Sequence, residues 1–395
     1  MTLEVRVIDS LSEISAEDWD ACARWSPATG ENPFVSHAFL LALEESKSVG
    51  RKTGWMPQYL LIQDEETQQA LAACPLYVKS HSSGEYVFDH GWAEAYERAG
   101  GRYYPKLQIA VPFTPVPGPR LLVRPLAATG QNGPAEEEIR TALIETLIAT
   151  TQSSKLSSLH VTFCGEGEAR AMAEAGFLHR IGVQYHWQNN GYATFDDFLA
   201  ALNSRKRKAI RKERAAIAEY GLTIRQLSGA EITKKHWDAF FAFYMDTGNR
   251  KWGRPYLTRS FFDLLGTRMA GQVVLMMAEK DGMPVAGALN LRGSDALFGR
   301  NWGCLADYRF LHFELCYYQA IDYAIAHGLA RVEAGAQGEH KIQRGYLPVE
   351  THSAHWIADR SFRNAVADFL QRETRVLEHE MAELTEHGPF RQTEE

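Results

Sequence analysis

At 395 residues the chain is too long for one average domain and fits two of ordinary size; 45% hydrophobic, 11% aromatic and 23% charged residues exclude wholesale disorder. A net charge of −7 excludes a general nucleic-acid coat protein but not a local basic site, because steering depends on where charge sits. Five scattered cysteines without C-x-x-C spacing, no basic-then-apolar leader and no apolar run near the ~20 residues of a membrane span predict a soluble, cytoplasmic protein with free thiols and no metal centre.

Taken in chain order, Gln58–Gln63 and Ala70–Val78 read as a β-hairpin, followed by a strand over Tyr86–Trp92. The aromatic and polar stretch from Tyr86 to Tyr104 leads into Ala110–Arg120, whose four prolines forbid helix and predict a loop beside an acceptor cleft. A helix near Glu136–Thr150 precedes a buried strand, Leu159–Phe163. Thr194 with Asp196 and Asp197 marks a helix start, and the apolar spacing predicts one helix to about Tyr220-Gly221. That helix carries seven cations between Arg205 and Arg214 against one carboxylate, Glu213. A second aromatic and polar cluster, Asp246–Tyr256, is predicted to line the acceptor side as well.

Val273–Glu279 and Val285–Leu291 around Asp281-Gly282 form the clearest hairpin signal. A strand over Ala296–Trp302 and a helix over His312–His327 follow, with Gly328 as the C-cap. Ala330–Ala334 reads as another strand, Ser361–Thr385 as a charged amphipathic helix, and the last ten residues as a loose tail.

The order strand, strand, strand, helix, strand, helix, strand occurs twice. Gly176-Phe177-Leu178 precedes His186-Trp187 by the same step as Gly345-Tyr346-Leu347 precedes His355-Trp356. Hairpins followed by strand–helix–strand make an α/β (α+β) fold: a mixed, mostly antiparallel sheet with flanking helices. The predicted boundaries are 1–190 for the first module, 191–360 for the second with the basic helix, and 361–395 for the final helix and tail.

Asn32–Leu40, the basic helix around Ile210-Arg211-Lys212, Gly287–Leu289 through Arg300-Asn301-Trp302, and His340–Tyr346 together resemble the FemAB-like branch of the GNAT superfamily. These are bacterial N-acyltransferases related to peptidoglycan biosynthesis. The resemblance implies a tandem pair of GNAT-like modules and transfer of an acyl group to an amine. The expected donor is acyl-CoA as co-substrate, with no tightly bound cofactor; the alternative donor is aminoacyl-tRNA, and a third reading is a non-catalytic ligand-binding protein. The acceptor is a small-molecule amine or a cell-wall precursor. One departure concerns the usual Q/R-x-x-G-x-G/A loop, because Arg300–Leu305 fails it at the last position.

Direct acyl transfer needs a proton acceptor, oxyanion stabilisation and a positioned donor. Glu333, Glu339, His340 and Asn301 are the catalytic candidates, grouped at strand ends and the loop that follows. Arg205, Lys208, Arg211 and Lys212 of the basic helix, with Lys341 and Arg344, are candidates for donor phosphates. Asp89, Trp92, Tyr104, Arg254 and Trp302 are candidates for the acceptor. His186 and His355 recur beside tryptophans and are assigned to packing.

Overall fold

The computed structural model describes residues 2–24, 26, 31–125, 135–250, 253, 255–336, 338–386 and 388–391, apart from the side chains of Asn249 and Glu339. They form two compact units, neither continuous in sequence. The first takes Met1–Ala28, Phe34–Gly182 and Glu350–Glu378; the second takes Thr29–Pro33, Val183–Val349 and His379–Glu395.

The first half of the chain supplies β1 (Leu3–Ile8), β2 (Trp55–Pro57), β3 (Tyr59–Asp64), β4 (Ala70–Cys74), β5 (Leu76–Lys79), β6 (Lys106–Ile109), β7 (Leu122–Val123), β8 (Ser158–Cys164) and β9 (Leu178–Gln188). Its helices are α1 (Ala16–Ala23), α2 (His37–Glu45), α3 (His90–Arg98), α4 (Glu136–Ser153) and α5 (Glu166–Glu174). The second half supplies α6 (Phe195–Ala201), α7 (Ser204–Glu219), β10 (Leu222–Ser228), α8 (Lys234–Arg250), α9 (Arg259–Arg268), β11 (Val273–Lys280), β12 (Met283–Arg292) and β13 (Ala296–Cys304). There follow α10 (Leu311–Phe313), a π turn (Glu314–Tyr318), α11 (Gln319–Ala326), β14 (Arg331–Glu333), β15 (Leu347–Ile357) and α12 (Arg360–Glu386). Among the described residues no helix is long and apolar enough to cross a membrane.

In unit 1, β1-β3-β4-β7 form an antiparallel sheet. A second sheet runs β15-β8-β6-β5-β2, with β6 parallel to β8 and the other neighbours antiparallel. The expected single strand Ala70–Val78 is divided at Pro75, which has no N–H to give a ladder: β4 goes to one sheet and β5 to the other. Ile139, Leu143, Ile144 and Leu147 form the helical stripe of α4 that buries β3, β4 and β8.

The expected strand over Tyr86–Trp92 is absent. Lys106 on β6 is fully buried and its ammonium requires counter-charge. Glu85 and Ser82 supply oxygens at 2.8 and 2.9 Å, and Asp89 a third. The chain therefore curls over β6, with Tyr86 left-handed at φ 61°, and α3 begins at His90. Tyr103 donates to Asp89 at 2.7 Å and meets His160, whose Nδ1 lies 2.8 Å from that of His355. Burial opposes ionisation of Asp89, but Lys106 and its hydrogen bonds hold that carboxyl below the usual range.

In unit 2 the order is β10-β11-β12-β13-β14-β9, antiparallel except for the parallel pair β13–β14. Asp281 and Gly282, both at positive φ, make the expected β11–β12 turn. Leu315, Tyr318, Ile321 and Ala324 pack on Val274, Met276, Leu297 and Val332. The helix expected from Thr194 to Gly221 is two: Thr194 caps α6, the chain turns at buried Leu202, and the Asn203 side chain accepts the Lys206 N–H to cap α7. Asp246–Arg250 of the second aromatic and polar cluster are the last turn of α8, whose Phe240, Phe243 and Tyr244 are buried. Of the tail, residues 392–395 lie outside the described residues.

Removing the buried Lys106 ammonium leaves Asp89 without its cation and Glu85 with only Lys79, at 3.7 Å. Lys106→Ala should lower unfolding free energy by about 3–5 kcal/mol in urea titrations; a loss below 1 kcal/mol contradicts the role given to this network.

Candidate functional site where two parallel strands part

β13 and β14 pair over three positions only: Ala296↔Arg331, Leu297↔Val332 and Phe298↔Glu333. On the other edge of β13 the register shifts, so that Asn290 faces Gly299 while Leu289 faces Asn301, leaving Arg300 as the extra residue of a bulge. The tip of β13 is held by α8: a Cβ on Gly303 would lie 2.3 Å from the Phe243 carbonyl oxygen. Beyond Glu333 the chain leaves β13 and follows β9, with Ala334 donating to the Tyr185 carbonyl and Tyr185 to that of Gly335. A wedge opens between Arg300–Cys304 and Ala334-Gly335.

Glu333 stands at the vertex, 4% exposed. Arg331 Nε donates to Oε1 at 2.9 Å, while Oε2 has no hydrogen-bond partner and lies 3.8 Å from His186 Nε2. Burial pushes its carboxyl up to about 7, against the pull of Arg331. His186, opposite Glu333 in the β14–β9 register, is lowered to about 3 by burial and by Arg331 and Lys341, so it is neutral and hydrogen-bonds Gln184 at 3.3 Å. A carboxyl that titrates near neutrality beside a neutral imidazole suits proton transfer.

Lys341 Nζ donates to the carbonyls of Ala334 and, at 3.0 Å, Gly335. It is buried, its pKa lowered to about 8, and it stitches the peptide that leaves β14. His340 Nε2 meets Tyr317 Oη at 3.0 Å. Trp302 and His312 lie 5.2 Å apart, His312 and Tyr317 5.3 Å, and Phe313 and His340 5.5 Å, which makes an aromatic wall beside the wedge. Arg344 stacks on Phe313 at 3.4 Å and donates to Glu213 at 2.8 Å, tying the wall to α7.

On α7, Arg214 pairs with Glu314 and Asp322, and Arg211 with Asp196 at 2.9 Å. Arg205, Lys208 and Lys212 share one exposed face and have no ion pair among the described residues. Seven residues of helix spread that row over about 10 Å. The segment entering α10, Leu305–Phe310, has no glycine, and Phe310 takes the left-handed cap at φ 71°. It offers no glycine cradle for a pyrophosphate.

The wedge thus brings Glu333, Asn301, Trp302, His340, Lys341 and Arg344 into one unit, adjoined by the basic helix. Asp89 and Trp92 are buried in unit 1, where Trp92 packs edge-on to His355 at 5.0 Å, and the half-buried Tyr104 bonds Ser82 at 2.8 Å. Arg254 and the Glu339 side chain lie outside the described residues. Sequence reasoning missed His186 as the neighbour of Glu333 and Glu213 as the anchor of Arg344. A signal for the second existed, as Glu213 is the one acid among the seven cations.

Glu333 should also couple stability to pH. Its folded-state pKa lies above that of the unfolded chain, so its contribution is complete below pH ~4.5 and is lost as pH rises through ~7. Relative to Glu333→Gln, native stability should therefore fall by up to about 3 kcal/mol between pH 4.5 and 8 in urea titrations; a pH-independent difference contradicts the raised carboxyl.

The chain matches the FemAB-like family, described as peptidoglycan biosynthesis/recognition, over residues 10–392. No curated protein matches it significantly. Similar solved structures include FemX, at 12% identity and TM-score 0.54, covering 92% of this chain and 100% of that one. They include the C-terminal domain of a putative lysylphosphatidylglycerol synthetase from Agrobacterium fabrum (11%, TM-score 0.54, 90% and 96%). L-PGS from Bacillus licheniformis is a third (9%, TM-score 0.54, 90% and 97%). At such identities the likeness is one of fold, and it agrees with the tandem GNAT-like architecture that the resemblance implied. Family match and fold converge: the chain belongs to the FemAB-like family.

Proposed function

We propose that the protein is an N-acyltransferase that moves an acyl or aminoacyl group from a phosphate-bearing carrier to an amine of a cell-wall precursor. The observation that carries this reading is the carboxyl of Glu333, held near neutral pKa where β13 and β14 part. The acceptor amine attacks the carbonyl of the thioester or ester and Glu333 takes its proton. The tetrahedral oxyanion collapses with cleavage of the carbon–sulfur or carbon–oxygen bond, and the carrier leaves with a proton. Asn301, just past the bulge, is our choice to steady the oxyanion.

Acyl-CoA is the first donor to test. A specific observation favours aminoacyl-tRNA as the second: the unpaired row Arg205, Lys208 and Lys212 suits a long phosphate backbone better than one pyrophosphate, and the entry to α10 lacks a glycine cradle. Thermal unfolding with acyl-CoA, CoA and deacylated tRNA at fixed salt separates them, since a ligand at about 100 times its Kd stabilises by about 2.7 kcal/mol. A shift with neither donor counts against transfer.

With the donor in hand, Glu333→Gln should lower the transfer rate by about a hundredfold or more while donor affinity is unchanged. Full activity in that variant removes Glu333 from the chemistry. If tRNA is the donor, the triple variant Arg205→Gln, Lys208→Gln, Lys212→Gln should reduce the slope of log affinity against log salt by about 2. An unchanged slope takes the helix out of donor binding.

A further inference from the structure

A second feature lies in unit 1, apart from the residues placed in the wedge of unit 2. A concave cavity of about 450 Å³ opens between α3, the end of α4 and the start of α12; it is lined by Tyr96, Arg102, Gln152, Lys155, Trp356 and Arg363 among others, none of them acidic. It sits beside Ser157, which precedes β8, and at the exit of β15, so it is at the opposite end of β8 from α5.

Each of the two guanidiniums is anchored by a backbone carbonyl. Arg102 Nε donates to the Tyr104 carbonyl at 3.1 Å, and Arg363 Nε to the Ile357 carbonyl at 2.7 Å. Each bond fixes the plane of its guanidinium and leaves the two terminal nitrogens for another partner. Arg363 also stacks 5.2 Å from the Trp356 ring. Lys155 occupies the position after the α4 cap at φ 52°, a left-handed conformation that costs a lysine about 1 kcal/mol and that glycine adopts freely. None of the three has a carboxylate within ion-pair distance among the described residues.

Two guanidiniums and an ammonium lining one cavity, with no acidic residue in its lining, supply the charge and donors that a phosphoryl group takes. We infer that unit 1 carries a phosphate-binding site formed by Arg102, Lys155 and Arg363, distinct from the wedge of unit 2. Its ligand is a phosphate ester or diphosphate, free or borne on a larger molecule.

The test is calorimetric titration of the full chain with inorganic phosphate, pyrophosphate and a nucleoside diphosphate, at ionic strength held constant with sodium chloride. Saturable binding of pyrophosphate is expected, weakened about tenfold or more by Arg102→Gln and by Arg363→Gln. Lys155→Gln, at an exposed position whose side chain supports no fold contact, should weaken it too, which keeps the test valid if an arginine variant fails to fold. Lys52→Gln, an exposed lysine of unit 1 outside the cavity and the wedge, should leave it unchanged. Tighter binding of the nucleoside diphosphate than of pyrophosphate points to a nucleotide-borne ligand, and equal binding to the phosphoryl group alone; both support the site. Absence of saturation, or affinity that survives all three cavity variants, or an equal loss in Lys52→Gln, overturns the inference.

Discussion

A sheet that loses a strand partner midway must satisfy the released peptide groups elsewhere. β13 and β14 part after Phe298↔Glu333, and the rest of unit 2 is arranged around that fact. Lys341 accepts the task on one side by donating to two carbonyls beyond β14, and α8 packs against Gly303 on the other. Glu333 stands buried at the vertex. Its carboxyl is kept from ionising readily because it is buried and one oxygen lacks a hydrogen bond, while Arg331 supplies enough field to stop the shift from going further.

Charge links this vertex to the surface. Glu213 faces inward from an otherwise cationic helix, holds Arg344, and through it the stack on Phe313 and the wall of Tyr317, His340, His312 and Trp302. Glu213 on α7 faces Arg344, while Arg205, Lys208 and Lys212 of the same helix are exposed. A single helix therefore both braces the wedge and presents cations at its edge. Unit 1 uses buried charge differently: Lys79 and Lys106 face Glu85 and Asp89 inside the fold, a constraint that fixes the path of residues 82–89.

Much of this was legible in the sequence because it is local. Asp281-Gly282 dictates its turn, the apolar spacing after His312 dictates its helix, and the repeated step to His-Trp marks the strands β9 and β15. Glu333 as a candidate followed from its place at a strand end. The misses were nonlocal. Tyr86–Trp92 has strand-like composition but must bring Asp89 to a lysine seventeen residues away. The break at Asn203 is signalled only by a residue that can cap a helix as readily as sit within one. That His186 faces Glu333 depends on register across 147 residues, which spacing alone does not reveal.

The account turns on the protonation of one side chain, and nuclear magnetic resonance can observe it. With glutamate labelled at the side-chain carboxyl carbon, the wild type should show one resonance that titrates near pH 7 and is missing from Glu333→Gln. If the resonance assigned to Glu333 titrates near pH 4.5 like an exposed glutamate, the vertex is not the dry, proton-accepting site described above, and its chemistry must lie elsewhere.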